Sequence, residues 1–187
     1  IRRQSPDASE IADAAALLQR YDGEIRRTDA QIARLVNGLR AALGGREPLL
    51  VVASDHGEGF LEHGFFGHGA DLHAEQVEVP LLIRAPEQLA AARVTAVVRN
   101  LDVYPTLLDL LGIPAPPDLA GVSLRAIAAG QTANLQAFSE THSHGGARYA
   151  LHDAEFAYRT FDAFDPLSSR HPGTSAEIEQ RLYAYLT

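Results

Sequence analysis

The 187-residue chain has no cysteine, no methionine and no tryptophan. Without cysteine it forms no disulfide and offers no thiolate to a metal, and its redox compartment is not readable. Without methionine it lacks an initiator, so the start Ile1-Arg2-Arg3 reads as falling short of a natural N-terminus. No apolar run approaches the roughly 20 residues of a membrane span. No signal peptide is visible either, which leaves localisation open. Basic residues are the scarcer sign, 16 Lys and Arg against 24 Asp and Glu, for a net charge of −8. No basic patch is present, which argues against a nucleic-acid partner. A small anionic substrate stays open, because one bound cation can dominate the local field.

What is present fits a globular protein: 46% hydrophobic and 21% charged residues, enough chain for one core and a small appended unit. Residues 1–20 are polar, then alanine-rich, and read as helical. From Asp22 to Leu43, residues Ile25, Ile32, Leu35, Val36, Leu39 and Leu43 keep helical spacing, and Gly44-Gly45 ends the run. Leu49–Ser54 reads as a strand buried on both faces. Residues 55–79 form a long connection without periodicity, and Pro80–Ala85 reads as the next strand. Asp102 is placed to cap a helix over Val103–Leu111, with Pro105 tolerable in its first turn and Gly112 and Pro114 stopping it. Residues 114–124 form a proline-rich connector. Gln136–Glu140, Ala147–His152 and Glu155–Phe161 read as short antiparallel strands, residues 162–174 as a loop, and Ser175–Leu186 as a C-terminal helix. The expected class is α/β. Part of a mostly parallel sheet flanked by helices (residues 1–130) precedes a small antiparallel sheet with a C-terminal helix (residues 131–187).

The chemistry concentrates in Ala53–Gly69, where three histidines and five glycines crowd a segment with no helical or strand period. A packed core does not need that mixture; a metal site or anion pocket does. Asp55 offers a hard oxygen and His56 an imidazole nitrogen at the carboxyl end of a strand, where open α/β sheets bind ligands. Adjacent residues of an extended strand point to opposite faces, so the two converge only if the chain turns, which Gly57 permits. Alternatively, Asp55 caps the turn and His56 is an ordinary loop residue. His63, His68 and His73 follow at intervals of five, which fits no helix face and no strand face. Each is a surface loop histidine or an anion contact, and one could give a proton to a leaving group. His142 and His144 beside Glu140 read as a solvated loop. No Gly-x-Ser-x-Gly elbow and no phosphate-binding loop ending in Lys-Ser/Thr occurs.

Several segments together resemble the C-terminal half of the sulfatase family, within the alkaline-phosphatase-like superfamily. They are Tyr21-Asp22-Gly23-Glu24-Ile25, Leu50-Val51-Val52-Ala53-Ser54-Asp55-His56-Gly57-Glu58, Glu62-His63-Gly64 through Gly67-His68-Gly69, and Val79-Pro80-Leu81-Leu82-Ile83. Two more are the specific run Leu101-Asp102-Val103-Tyr104-Pro105-Thr106-Leu107-Leu108-Asp109-Leu110-Leu111-Gly112 and Leu119-Ala120-Gly121-Val122-Ser123-Leu124. The resemblance implies a sulfuric ester hydrolase acting on a small sulfate ester. It makes Asp55 and His56 the family's second pair of metal ligands, and His68 a basic position that contacts the sulfate and assists the leaving group. His63 takes no role from it. Calcium is the family's usual ion; the His56 nitrogen brings in manganese or zinc.

The family reaction also uses a formylglycine, made from Cys or Ser in Cys/Ser-x-Pro-x-Arg, and an earlier pair of acidic ligands. Neither motif occurs here, so the resemblance implies a fragment that needs the N-terminal half of the fold and is inactive alone. Two other readings are a phosphate or phosphonate ester hydrolase of the same superfamily and a non-catalytic structural module.

Overall fold

The structure is a computed structural model that describes residues 8–142, 148–154, 157–161 and 165–167. The expected C-terminal helix over 175–186 lies outside the described residues, as does His144.

Helix α1 runs unbroken over Ala8–Ala42, joining the two stretches that the sequence separated near residue 20. Alanine, arginine and leucine are its commonest residues, all good helix formers. Gly44 and Gly45 end it with φ of +65° and +87°, and the Gly45 N–H closes on the Arg40 carbonyl at 2.8 Å. Ile11, Leu18, Ile25, Ile32 and Leu39 recur every seventh position. Among them Ile11 and Ile25 are more than half exposed, while Ala14 and Val36 are buried.

Strands β1 (Leu50–Ala53) and β4 (Leu81–Arg84) pair in an antiparallel ladder, Val51 opposite Ile83 and Ala53 opposite Leu81. This departs from the expected parallel arrangement. A parallel step needs a crossover, usually a helix on one sheet face. The connection instead curls back over the strand end through a tiny hairpin, β2 (Gly59–Phe60) with β3 (Phe66–Gly67), and a one-turn helix α2 (Ala74–Val77). Nor is β1 buried on both faces: Leu50–Val52 are half-buried, and Leu82 on β4 is exposed. Glu47 ties the ladder to α1, accepting from Arg40 at 2.9 Å and pairing with Arg84.

Helix α3 covers Val103–Leu110, with Pro105, Thr106, Leu108 and Leu110 buried. Asp102 occupies its N-cap position without capping by its side chain. The fully buried carboxylate instead grips Arg99 through the backbone N–H at 2.9 Å and the guanidinium at 2.8 and 3.0 Å, and also accepts the Val122 N–H at 2.9 Å. A half-buried cation and a loop N–H outcompete the helix for that acceptor. Thr106 Oγ1 continues the knot, donating to the Asp102 carbonyl and accepting the Leu124 N–H at 2.9 Å. A short helix α4 (Arg125–Ala128) follows the connector.

Strands β5 (Ala137–Thr141), β6 (Arg148–His152), β7 (Ala157–Phe161) and β8 (Asp165–Leu167) form an antiparallel meander in that order. The first three were expected; β8 falls inside the stretch read as a loop. Ala150 and Leu151 are the most buried residues of β6. No helix among the described residues is long and apolar enough to cross a membrane.

Candidate active site

The chain leaves β1 at Ala53, and the next three residues are pinned individually. The Asn100 side-chain amide donates to the Ser54 carbonyl at 2.9 Å. Ser54 Oγ donates to the His56 carbonyl at 2.7 Å, and the His56 N–H donates to Asp55 Oδ1 at 3.0 Å. These contacts provide the turn that brings neighbouring side chains to one side. His56 Nδ1 lies 2.9 Å from the Gly57 carbonyl. A carbonyl only accepts, so Nδ1 carries the proton and Nε2 keeps its lone pair. That nitrogen is 3.8 Å from Asp55 Oδ2. Donors so spaced can share one cation, since metal bonds to such atoms run about 2.0–2.6 Å. The Asp55 carboxylate is well exposed (88%) and so open to a ligand. The N–H groups of Asp55 and His56 hold its carboxyl below the usual range. The pair therefore fits a cation as part of a donor set. Among the described residues no three His, Asp or Glu gather into a complete set.

His68 arrives from the far side of the hairpin, twelve positions after His56, and its ring stacks on His56 with centroids 4.0 Å apart. Glu58 accepts from His68 Nδ1 at 3.1 Å, which leaves Nε2 as the outward nitrogen. A second stack lies on the same loop: His63 and His73 are parallel with centroids 3.6 Å apart, and Glu75 accepts from His63 Nδ1 at 2.7 Å. His142 lies 3.9 Å from Glu140, both exposed, as a solvated loop would have it.

Asp55 and His56 open onto a cavity of about 890 Å³, whose other walls include Asp71, Gln76, Arg93, Asn100 and Glu140. The structure thus brings Asp55, His56 and His68 to one place and leaves His63 and His73 in a separate pair. Sequence reasoning missed Glu58, Gln76 and Asn100. Glu58 stood inside the quoted motif, but spacing alone does not say which acid meets which imidazole. Asn100 lies 46 positions from Ser54 with no local signal.

The family model described as Sulfatase matches residues 2–113, which takes in α1, the ladder, the site loop and α3. The chain belongs to the sulfatase family. Arylsulfatase K of Mus musculus is 37% identical to this sulfatase chain over 118 residues, 63% of the chain and 21% of the mouse protein. The chain thus spans about a fifth of the length of that curated relative. A solved 2-O GAG sulfatase matches with a TM-score of 0.67 at 20% identity, over 84% of the chain and 38% of its own. The phosphonate monoester hydrolase of Silicibacter pomeroyi matches with the same score at 24% identity and the same coverage. At those identities the two structures show the shared fold alone.

Proposed function

We propose that this chain carries half of the ester-cleaving site of a sulfatase. Asp55 and His56 hold a divalent cation, calcium by family habit and manganese or zinc by the imidazole nitrogen. His68 contacts the sulfate or protonates the departing oxygen through Nε2. The observation that supports this best is the His56–His68 stack. It sets a ring from a distant part of the loop beside the adjacent Asp55–His56 pair, whose donor atoms lie 3.8 Å apart. When bound, the cation draws negative charge off the ester oxygens.

The remaining ligands and the nucleophile, a formylglycine, come from the rest of the family fold. The small share of the relative's length supports this, as does the exposed apolar row on α1, a face that needs cover.

The test is Asp55→Ala and His68→Ala in the full-length protein, with metal content and aryl-sulfate turnover measured side by side. The first should lose metal and turnover together, the second turnover alone by about 100-fold. Unchanged metal and turnover in Asp55→Ala sinks the assignment. Faster cleavage of a phosphonate monoester than of an aryl sulfate transfers the site to phosphoryl chemistry. The 187-residue chain alone should show no turnover.

A further inference from the structure

Two arms of the loop carry the site, one ending in Asp55-His56-Gly57 and the other in His68-Gly69, and a single residue holds both. The Gly57 N–H donates to the Gln76 backbone carbonyl at 2.8 Å. The Gly69 N–H donates to Gln76 side-chain Oε1 at 2.9 Å. Gln76 is 4% exposed, lies on α2 and borders the same cavity as Asp55 and His56. Gly69 is gripped from its other side too, because Thr141 Oγ1 of β5 donates to its carbonyl at 2.8 Å. Both glycines are needed for so close an approach. A Cβ on Gly57 would come within 2.0 Å of the Glu75 carbonyl oxygen, and Gly69 sits at φ +79°. The far end of the carboxamide rests against Gly59: its Nε2 is 3.6 Å from where a Cβ there would stand.

We propose that Gln76 is a positioning residue that sets the gap between the Asp55–His56 pair and His68. Its main-chain carbonyl fixes the first arm and its side-chain oxygen the second, so the rigid one-turn helix acts as the spacer between them. The pair keeps the Ser54 contact to His56, itself anchored by Asn100, so loss of the side-chain oxygen should free the His68 arm alone. The inference deepens the proposed site and rests on it for its catalytic consequence, though not for its structural one.

The test compares Gln76→Met, which keeps length but loses the acceptor, with Gln76→Glu, which keeps an oxygen there. In the full-length protein, Gln76→Met should speed exchange of the Gly69 amide by about tenfold and abolish the ring-current shift of His68 on His56, with Gln76→Glu restoring both. In the full-length enzyme, kcat should fall about 10- to 100-fold with metal content unchanged, again restored by Gln76→Glu. Unaltered Gly69 exchange in Gln76→Met overturns the proposal. So does a kcat loss that only follows loss of metal or of folded protein. If the methionine variant does not fold, Gln76→Asn, shorter yet polar, gives the same readouts. Silent Asp55→Ala and His68→Ala variants, beside a freed Gly69 amide, would remove the site assignment and leave the spacer standing.

Discussion

At Gly57 one added carbon decides whether the loop closes. The atom it would strike belongs to backbone, which cannot swing aside. Gly57→Ala should therefore cost about 1–3 kcal/mol in urea unfolding, the usual range for overpacking. A second residue-scale test concerns Glu75. Its partial burial opposes ionisation, but the His63 hydrogen bond, its own N–H and the His63 and His73 charges together hold its carboxyl below the usual range. A carboxylate with a depressed folded value adds stability above its unfolded pKa and loses it as pH falls through the folded one. The stability gap between the native chain and Glu75→Gln should thus be full at neutral pH and close in acid, below the ordinary glutamate range. A gap that stayed open well below that range would refute the pairing. At this scale the sequence was partly legible. Asp55, His56 and His68 stood out because ligand-type side chains among glycines have no packing purpose. Gln76 and Asn100 did not, because an amide side chain that bonds backbone leaves no pattern along the chain.

Among the elements, α3 is held in place by what precedes it. Fully buried Asp102 pairs with half-buried Arg99, and removal of the carboxylate leaves the guanidinium and two backbone N–H groups without their acceptor. Asp102→Ala should cost about 3 kcal/mol, with Asp102→Asn losing less because its one amide oxygen still accepts from either the Arg99 or the Val122 N–H, though not from both. Paired denaturant curves check both. Asn100 sits in the same turn, so loosening it should also free Ser54, seen as faster amide exchange around Asp55. The clasp at Glu47 behaves differently. The Arg84 and then the Arg40 hydrogen bonds lower its pKa to about 2. Its support for the α1–β4 join should be full above about pH 5, decline progressively below that and be gone only below about pH 2. A Glu47→Gln variant whose defect vanished already at pH 4 would show that the pairing does not hold in solution. Element type was largely readable in the sequence: helical spacing in α1 and β-rich runs in β5, β6 and β7. Strand direction was not. Helix, strand, loop and strand in order suggest a parallel sheet, and only the path of residues 54–80 settles which way β4 runs.

The whole molecule is lopsided. At about 1.5 Å per residue, α1 spans roughly 50 Å, far beyond the four-residue ladder it precedes. Tyr21 meets Phe60 edge-on at 5.2 Å, and Phe60 meets Phe66 at 5.6 Å, so the helix leans on the hairpin there. Ile25 and Leu35 remain open to solvent. The isolated chain should bind an apolar dye and associate as concentration rises, and Ile25→Glu with Leu35→Glu should suppress both. A dye-silent monomer at high concentration would mean the row needs no cover. The antiparallel ladder has a further consequence. Ala53 lies directly opposite Leu81, so the segment between them starts and finishes at neighbouring points. Two imidazole stacks, a hairpin and the α2 turn brace it internally. Such a segment is nearly a cassette: grafted between the antiparallel strands of another protein, it would carry its paired histidines along but leave behind the Asn100 and Thr141 contacts that hold Ser54 and Gly69 from outside.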